Sequence, residues 1–121
     1  MTGNYDYDGN PISMEQWLLL FADEEAKRVA WTDVAEGVEI STVWLGIDYS
    51  FGRGTPLIYE TMIFGGKHDQ GQWRYPNRTA ALAGHDQAVA LAREALRGAA
   101  QDDSEVETEH LRNLAEDEPD P

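Results

Sequence analysis

The stretch VEISTVWLGIDYSFGRGTPLIYETMIF, residues 38–64, decides the fold, because it carries two runs of strand-forming residues around one loop. Residues 38–49 and 57–64 are rich in β-branched and aromatic side chains, which favour strands. Two glycines and a proline in residues 50–56 are typical of a loop. Strands joined by so short a connection pair in antiparallel fashion, so the stretch predicts an antiparallel pair.

A third strand is predicted immediately upstream. Residues 29–34 are again strand formers, and Glu36-Gly37 marks a tight turn before the next strand. The second strand carries apolar residues on both sides: Val38, Ile40 and Trp44 on one, and Val43, Leu45 and Ile47 on the other. A sheet with one face in water alternates more cleanly, so we expect both faces to be at least partly covered.

Helices are predicted on either side of this sheet. Ser13 and Gln16, after the turn sequence DGNP at residues 8–11, have the spacing of a capping box and predict a first helix that ends near residue 28. The second is expected from Thr79, as N-cap, to about Arg97, with Gly98 as C-cap. Its apolar stripe consists of Leu82, His85, Val89, Ala92 and Leu96. Residues 65–77 are interpreted as a long loop.

The expected fold is therefore α+β in the order α-β-β-β-α, a three-stranded antiparallel meander packed by two helices. Residues 1–98 should form this single domain, and residues 99–121 an acidic C-terminal tail that is partly helical or disordered. The chain of 121 residues has a net charge of −14, of which residues 99–121 contribute −8. Disorder is expected for residues 116–121.

Composition excludes several classes of function. There is no cysteine, so a disulfide framework, a thiol nucleophile and a Cys-ligated metal are excluded. The longest apolar run, residues 17–22, is far shorter than the roughly 20 residues that a membrane span needs. The N-terminus lacks the basic and apolar segments of a signal peptide. With no cysteine, no membrane span and no signal peptide, a cytoplasmic protein is expected. The negative charge disfavours direct binding to nucleic acid or to an anionic membrane.

The N-terminal segment also matches a calcium-loop pattern. Asn4, Asp6 and Asp8, then Gly9 and finally Glu15, have the spacing of alternating oxygen ligands, a turn glycine and a last carboxylate. No helix can precede Asn4, and Glu15 is also explained by the start of the first helix. A turn leading into a helix is the alternative interpretation, and calcium binding stays open at this point.

Catalytic and metal-binding signals are weak. His68-Asp69 is the only loop-borne candidate for a general base, and neighbours in sequence rarely pair with useful geometry. His85 is expected to be a hydrogen-bonded core residue and His110 to be solvated. The three histidines have no metal-ligand spacing. We therefore expect no enzymatic activity, no catalytic residue, no metal and no cofactor.

Aromatic residues are concentrated in the predicted sheet and its loops. Because aromatic side chains are enriched both in cores and at interfaces, we expect at least one or two to be exposed. The candidates for a binding surface are Trp44, Trp73 and Tyr75.

The central sequence resembles a known family. Residues 41–48 (STVWLGID), residues 56–66 (PLIYETMIFGG), Arg74-Tyr75 and residues 83–85 (AGH), with DGNPI at residues 8–12, are similar to small uncharacterised proteins of bacteriophages and prophages, chiefly of actinobacteria. The resemblance covers roughly residues 8–90 and leaves out the acidic tail. It implies a phage-type origin and action inside a bacterial host, and it implies no catalytic residue.

Three functional hypotheses follow. The first is an accessory protein that binds a basic host protein or complex and mimics nucleic acid there, as an inhibitor of a nuclease, a polymerase or a CRISPR or restriction complex. The acids expected to carry this binding are Asp23, Glu24, Glu25, Asp102, Asp103, Glu105, Glu107 and Glu109. The alternatives are an assembly module that uses the sheet for self-association, as a homodimer, or for contact with a virion, and an uncharacterised enzyme that uses His68 and Asp69.

Overall fold

The computed structural model describes residues 3–115, and the side chains of residues 3–99. The elements in chain order are α1 (Met14–Phe21), α2 (Glu24–Lys27), β1 (Arg28–Ala35), β2 (Val38–Trp44), β3 (Tyr59–Phe64), β4 (Gln72–Tyr75) and α3 (Arg78–Ala115). The strands form one antiparallel sheet in the order β1-β2-β3-β4. The predicted α+β class and antiparallel meander are confirmed.

The prediction of three strands is wrong, because the sheet has four. The segment interpreted as a long loop contains β4, which pairs with β3 from Tyr59↔Tyr75 to Met62↔Gln72. Gly65 has a φ of 91° and begins the turn between the two strands. A four-residue strand flanked by glycines and a proline has too short a pattern to be recognised locally, and pairing with β3 is what makes it a strand.

The second strand ends earlier than predicted. It was expected to reach residue 49, but β2 ends at Trp44 because Gly46 has a φ of 69°, outside the β region. A Cβ atom on Gly46 would lie 2.3 Å from Cζ2 of Trp44, so only glycine fits this close approach. The chain returns to strand-like pairing only in an isolated bridge between Asn4 and Ile47.

The first predicted helix is divided into two. Ser13 caps α1 in the predicted capping box with Gln16, and α1 ends at Phe21. Asp23 then leaves the helical region and accepts a hydrogen bond from the backbone N–H of Ala26 at 3.0 Å, which starts α2. An aspartate side chain can bond to nearby backbone N–H groups in place of helix continuation, and here it caps the first turn of α2.

The last helix differs from the prediction at both ends. Its N-cap is Asn77, whose Oδ1 accepts from the N–H of Ala80 at 2.8 Å, and not Thr79. It passes through Gly98 to Ala115, for a length of 38 residues. One glycine costs a helix only about 1 kcal/mol, which the helix-forming residues around it can offset. The predicted boundary between residues 98 and 99 therefore lies inside α3, and residues 116–121 lie outside the described residues.

The core lies between α3 and one face of the sheet. One cluster of buried residues consists of Val38, Ile40, Ile63, Ala88, Val89 and Ala92, and a second of Trp44, Ile58, Tyr59 and Ala81. Residues of α1 and the N-terminal segment close the second cluster, among them Trp17, Phe21 and Tyr7. The prediction that Leu82 belongs to the apolar stripe of the helix is wrong. Leu82 is 40% exposed, and the smaller Ala81 and Ala88 face the sheet instead.

The opposite face of the sheet, called the outer face below, is only partly covered. Strand register places eleven side chains on it: Arg28, Trp31, Asp33, Glu39, Ser41, Val43, Glu60, Met62, Phe64, Gln72 and Arg74. Ser41 is buried, and Val43 and Met62 are half-buried. Trp31 and Phe64 are 43% and 41% exposed. The expectation that both faces are at least partly covered is confirmed.

Candidate functional site

The strongest predicted binding residues lie in the C-terminal half of α3. Five acids, Asp102, Asp103, Glu105, Glu107 and Glu109, fall within residues 102–109 of this helix, called the acidic segment below. At about 1.5 Å per residue the 38 residues of α3 extend about 57 Å. The eight residues of β1, the longest strand, extend only about 26 Å. The helix is therefore about twice as long as the sheet on which its N-terminal half packs.

The acidic segment has a charge density close to that of nucleic acid. Its five carboxylates are distributed over eight residues, which is about 12 Å of helix axis, or one charge per about 2.4 Å. Duplex DNA carries one charge per about 1.7 Å of its axis. Per length of axis, the acidic segment therefore carries about 70% of the charge of duplex DNA.

The second predicted acidic patch is partly used within the fold. Asp23 is used as the N-cap of α2, where its carboxylate accepts a backbone N–H. Glu24 pairs with Lys27, at 2.9 Å between Oε1 and Nζ. Glu25 is exposed in the same helix. Two of these three acids thus already have partners within the chain.

The aromatic candidates separate into core and surface residues. Trp44 is completely buried, and its Nε1 donates to the backbone oxygen of Asp6 at 3.1 Å. Its assignment to a binding surface is therefore wrong: the N-terminal segment folds over the indole. Trp73 is 38% exposed and Trp31 43%, which confirms that some aromatic residues of the sheet are exposed.

Trp73 and Tyr75 lie together in a groove between β4 and α3. The groove has a volume of about 230 Å³, and its other walls are Gly84, Gln87, Ala88 and Leu91. Gly84 allows the close approach, because a Cβ atom there would lie 2.1 Å from Cζ of Tyr75. Burial raises the pKa of the Tyr75 hydroxyl, so this phenol stays neutral at physiological pH. The groove is apolar and has no concentration of charge.

A buried polar network lies at the centre of the interface between helix and sheet. His85 is 4% exposed, and its Nδ1 and Nε2 are each 2.8 Å from a threonine Oγ1, of Thr42 and of Thr32 respectively. Thr42 also contacts Thr61 Oγ1 at 2.6 Å. Burial lowers the pKa of His85, and the nearby Asp86 only partly opposes this shift. The prediction of a hydrogen-bonded core histidine is confirmed.

The threonines of this network were not predicted. Thr42 stands between Ile40 and Trp44 in the strand pattern, so it shares one side of β2 with these apolar residues. A hydroxyl at such a position requires a buried partner. Only the tertiary structure shows that the partner is a histidine 43 residues away.

His68 and Asp69 do not form a catalytic pair in this fold. The carboxylate of Asp69 accepts from the backbone N–H of Gly65 at 2.6 Å, so it closes the turn between β3 and β4. Among the hydrogen bonds of residues 3–99, none joins Asp69 to His68. His68 instead lines a groove of about 170 Å³ beside Val38 and Leu96. This geometry supplies no carboxylate to orient the imidazole as a general base.

The N-terminal segment forms a turn that leads into α1. Asp6 Oδ1 accepts from the backbone N–H groups of Asp8 and Asn10, at 2.9 and 2.8 Å. The hydrogen bond from Asn10 is the main reason that the pKa of Asp6 is lowered. Within the part of the chain that the structure describes, no three acidic or histidine side chains are close enough to hold a metal ion. The geometry of Asp6 thus matches the alternative interpretation, a turn leading into a helix.

Comparison with known proteins identifies no relative. No protein-family model, no curated protein and no solved structure matches this chain. The resemblance to phage and prophage proteins therefore stays a prediction. In residues 3–115, no helix has both the length and the apolar character needed to cross a membrane.

Proposed function

We propose that this protein binds a cationic protein through the acidic segment of α3 and occupies a surface that otherwise binds nucleic acid. The observation that carries the proposal is the charge density of the segment, one carboxylate per about 2.4 Å of helix. A surface of Lys and Arg side chains that binds duplex phosphates would be attracted to a segment with this charge per length.

The rest of the molecule supports this interaction. Residues 1–98 carry a net charge of −6, so the folded body attracts the same cationic partner. Complementary charge of this kind raises the rate of encounter and makes binding sensitive to salt. Together with the resemblance to phage-encoded proteins, it favours an inhibitor of a nuclease, a polymerase or a defence complex inside a bacterial host.

The test compares two variants with equal charge changes. The first neutralises the acidic segment: Asp102→Asn, Asp103→Asn, Glu105→Gln, Glu107→Gln and Glu109→Gln. The control neutralises five exposed acids elsewhere: Asp8→Asn, Glu15→Gln, Glu36→Gln, Asp86→Asn and Glu94→Gln. Immobilised full-length protein is exposed to nuclease-treated bacterial lysate, and bound proteins are eluted with duplex DNA and identified.

The unmodified chain should capture basic nucleic-acid-binding proteins that duplex DNA releases. At about 0.5 kcal/mol for each exposed ion pair, loss of the five carboxylates should weaken binding roughly 70-fold. The control variant should retain most of the binding. Equal losses in both variants would show that net charge, and not the acidic segment, determines capture and would contradict the proposal.

A further inference from the structure

We propose that the outer face of the sheet is a self-association surface, on which a second copy of this chain packs face to face with its strands reversed. The proposal rests on the order of charges along this face and does not depend on the acidic segment of α3.

The outer face consists of three rows of side chains that cross the strands. Strand register gives a first row of Arg28, Val43, Glu60 and Arg74, a middle row of Trp31, Ser41, Met62 and Gln72, and a last row of Asp33, Glu39 and Phe64. The middle row is uncharged. On β1, the first row carries the positive charge of Arg28 and the last row the negative charge of Asp33. The charge of the face therefore changes sign along the strand direction.

The first row has an excess of positive charge. Glu60 is 3.1 Å from the guanidinium Nε of Arg74, so these two charges are paired. Arg28 is exposed, and its guanidinium lies 5.2 Å from the ring of Trp31. Lys27 of α2 lies next to it but is paired with Glu24, and both line a groove of about 180 Å³ at this end of the face. The charge that this end presents to a partner is therefore that of Arg28.

The last row has an excess of negative charge. Asp33 and Glu39 lie side by side in register, and the turn between β1 and β2 adds the exposed Glu36. Lys67 lies near the same end of the sheet, but it lines the groove on the α3 side. The outer face is thus basic at one end, acidic at the other, and neutral in the middle.

A second copy is the occupant that complements both ends at once. The two copies would be related by a two-fold axis that lies parallel to the sheet, perpendicular to the strands and above the middle row. This axis places Arg28 opposite Asp33 of the partner subunit, and Asp33 opposite Arg28 of the partner subunit. The same operation places Trp31 over Trp31 of the partner subunit, at the roughly 10 Å spacing of packed sheets. A purely acidic or purely basic partner would match only one end.

The size of the face predicts a reversible dimer. Strands of about 26 Å, with four strands about 4.8 Å apart, bury roughly 400–500 Å² on each copy. The total of roughly 800–1,000 Å² lies below the roughly 1,200 Å² at which specific, stable interfaces begin, and is typical of weak, transient contacts. Trp31 and Phe64, 43% and 41% exposed, supply apolar area on the face. We expect association in the micromolar range and not a permanent complex.

The test is a charge exchange read by analytical ultracentrifugation over protein concentrations from about 1 to 500 µM. Arg28→Asp and Asp33→Arg should each weaken self-association at least tenfold, because each places like charges opposite one another. An equimolar mixture of the two single variants should form a heterodimer, and the double variant Arg28→Asp/Asp33→Arg should recover self-association. Arg97→Asp, at an exposed position of α3, is the control and should still dimerise.

Circular dichroism of each variant verifies that the fold is retained, which is expected since Arg28 and Asp33 are both exposed. A wild-type chain that stays monomeric over the whole range would overturn the proposal. So would dimerisation that both single variants leave unchanged, or a mixture that stays monomeric. The variant with a neutral acidic segment should dimerise like the wild type, so failure here is distinguishable from failure of the proposed function.

Discussion

At the scale of single residues, His85 is the most constrained polar group in the core. It fills the space between α3 and the sheet, and each ring nitrogen lies at hydrogen-bonding distance from a threonine hydroxyl. A neutral imidazole has one donor and one acceptor, and the hydroxyls of Thr32 and Thr42 can satisfy both. A protonated imidazole would bring a charge into a site with no carboxylate hydrogen-bonded to it.

This arrangement predicts that stability decreases as the pH falls below about 6.5. Burial lowers the pKa of His85 in the folded state from its usual value of 6.5, so the unfolded chain binds a proton first. The free energy of unfolding should be constant above the unfolded pKa and decrease from there down to the folded pKa. Urea unfolding followed by tryptophan fluorescence, between about pH 7.5 and pH 5, measures this decrease.

The control for this prediction is His85→Gln. It removes the titrating group and leaves His68 and His110 in place, so the two chains differ only at the buried site. The variant should be less stable at neutral pH and should show a smaller decrease toward pH 5. An identical pH dependence in both chains would mean that His85 is not the origin of the effect.

At the scale of elements, the packing of α3 depends on small residues. Ala81, Gly84 and Ala88 bring the helix backbone close to the sheet, and the ring of Tyr75 on β4 lies against Gly84. Gly98, in the same helix, has no atom within 4 Å of where its Cβ would be. The two glycines of α3 therefore stand in opposite environments, one in contact and one open.

These environments predict opposite effects of the same substitution. Gly84→Ala should destabilise the protein by about 1–3 kcal/mol, because the Tyr75 ring must move and this outweighs the gain in helix propensity. Gly98→Ala should stabilise it by up to about 1 kcal/mol, since only the propensity changes. Urea unfolding of both variants measures the difference. Equal shifts in the same direction would contradict the packing described for Gly84.

At the scale of the whole molecule, the chain separates its core from most of its charge. Both core clusters and the residues packed on them lie between Tyr5 and Leu96, among the side chains that the structure describes. Residues 99–121 carry −8 of the net charge of −14. One continuous helix, α3, joins the two regions, so its N-terminal half contributes to the core and its C-terminal half carries the acidic segment.

Truncation after Ala99 should therefore leave a folded protein. We expect the thermal midpoint to stay within a few degrees of the full chain, since no described core residue is removed. Binding of the cationic partner should be lost and self-association through the outer face should remain. Circular dichroism on heating gives the midpoint. An unfolded product would show that residues 100–121 contribute to the core.

Local patterns predicted the parts of the fold that depend on local interactions. The apolar residues on both sides of β2 predicted correctly that both faces of the sheet are at least partly covered, and the pair Ser13 and Gln16 located the start of α1. They did not predict β4, because Gln72–Tyr75 becomes a strand only through pairing with β3. They placed a helix end at Gly98, where the helix-forming residues on either side carry α3 onward.

The sequence by itself determined the α+β class, the antiparallel meander and the concentration of acids near the C-terminus, because composition and periodicity are properties of neighbouring residues. Only the tertiary structure decided that Trp44 is buried while Trp31 is exposed, although both lie in predicted strands. It also decided that His85 meets Thr42, and that the outer face is basic at one end and acidic at the other. These features depend on which distant segments meet, and no local pattern specifies that.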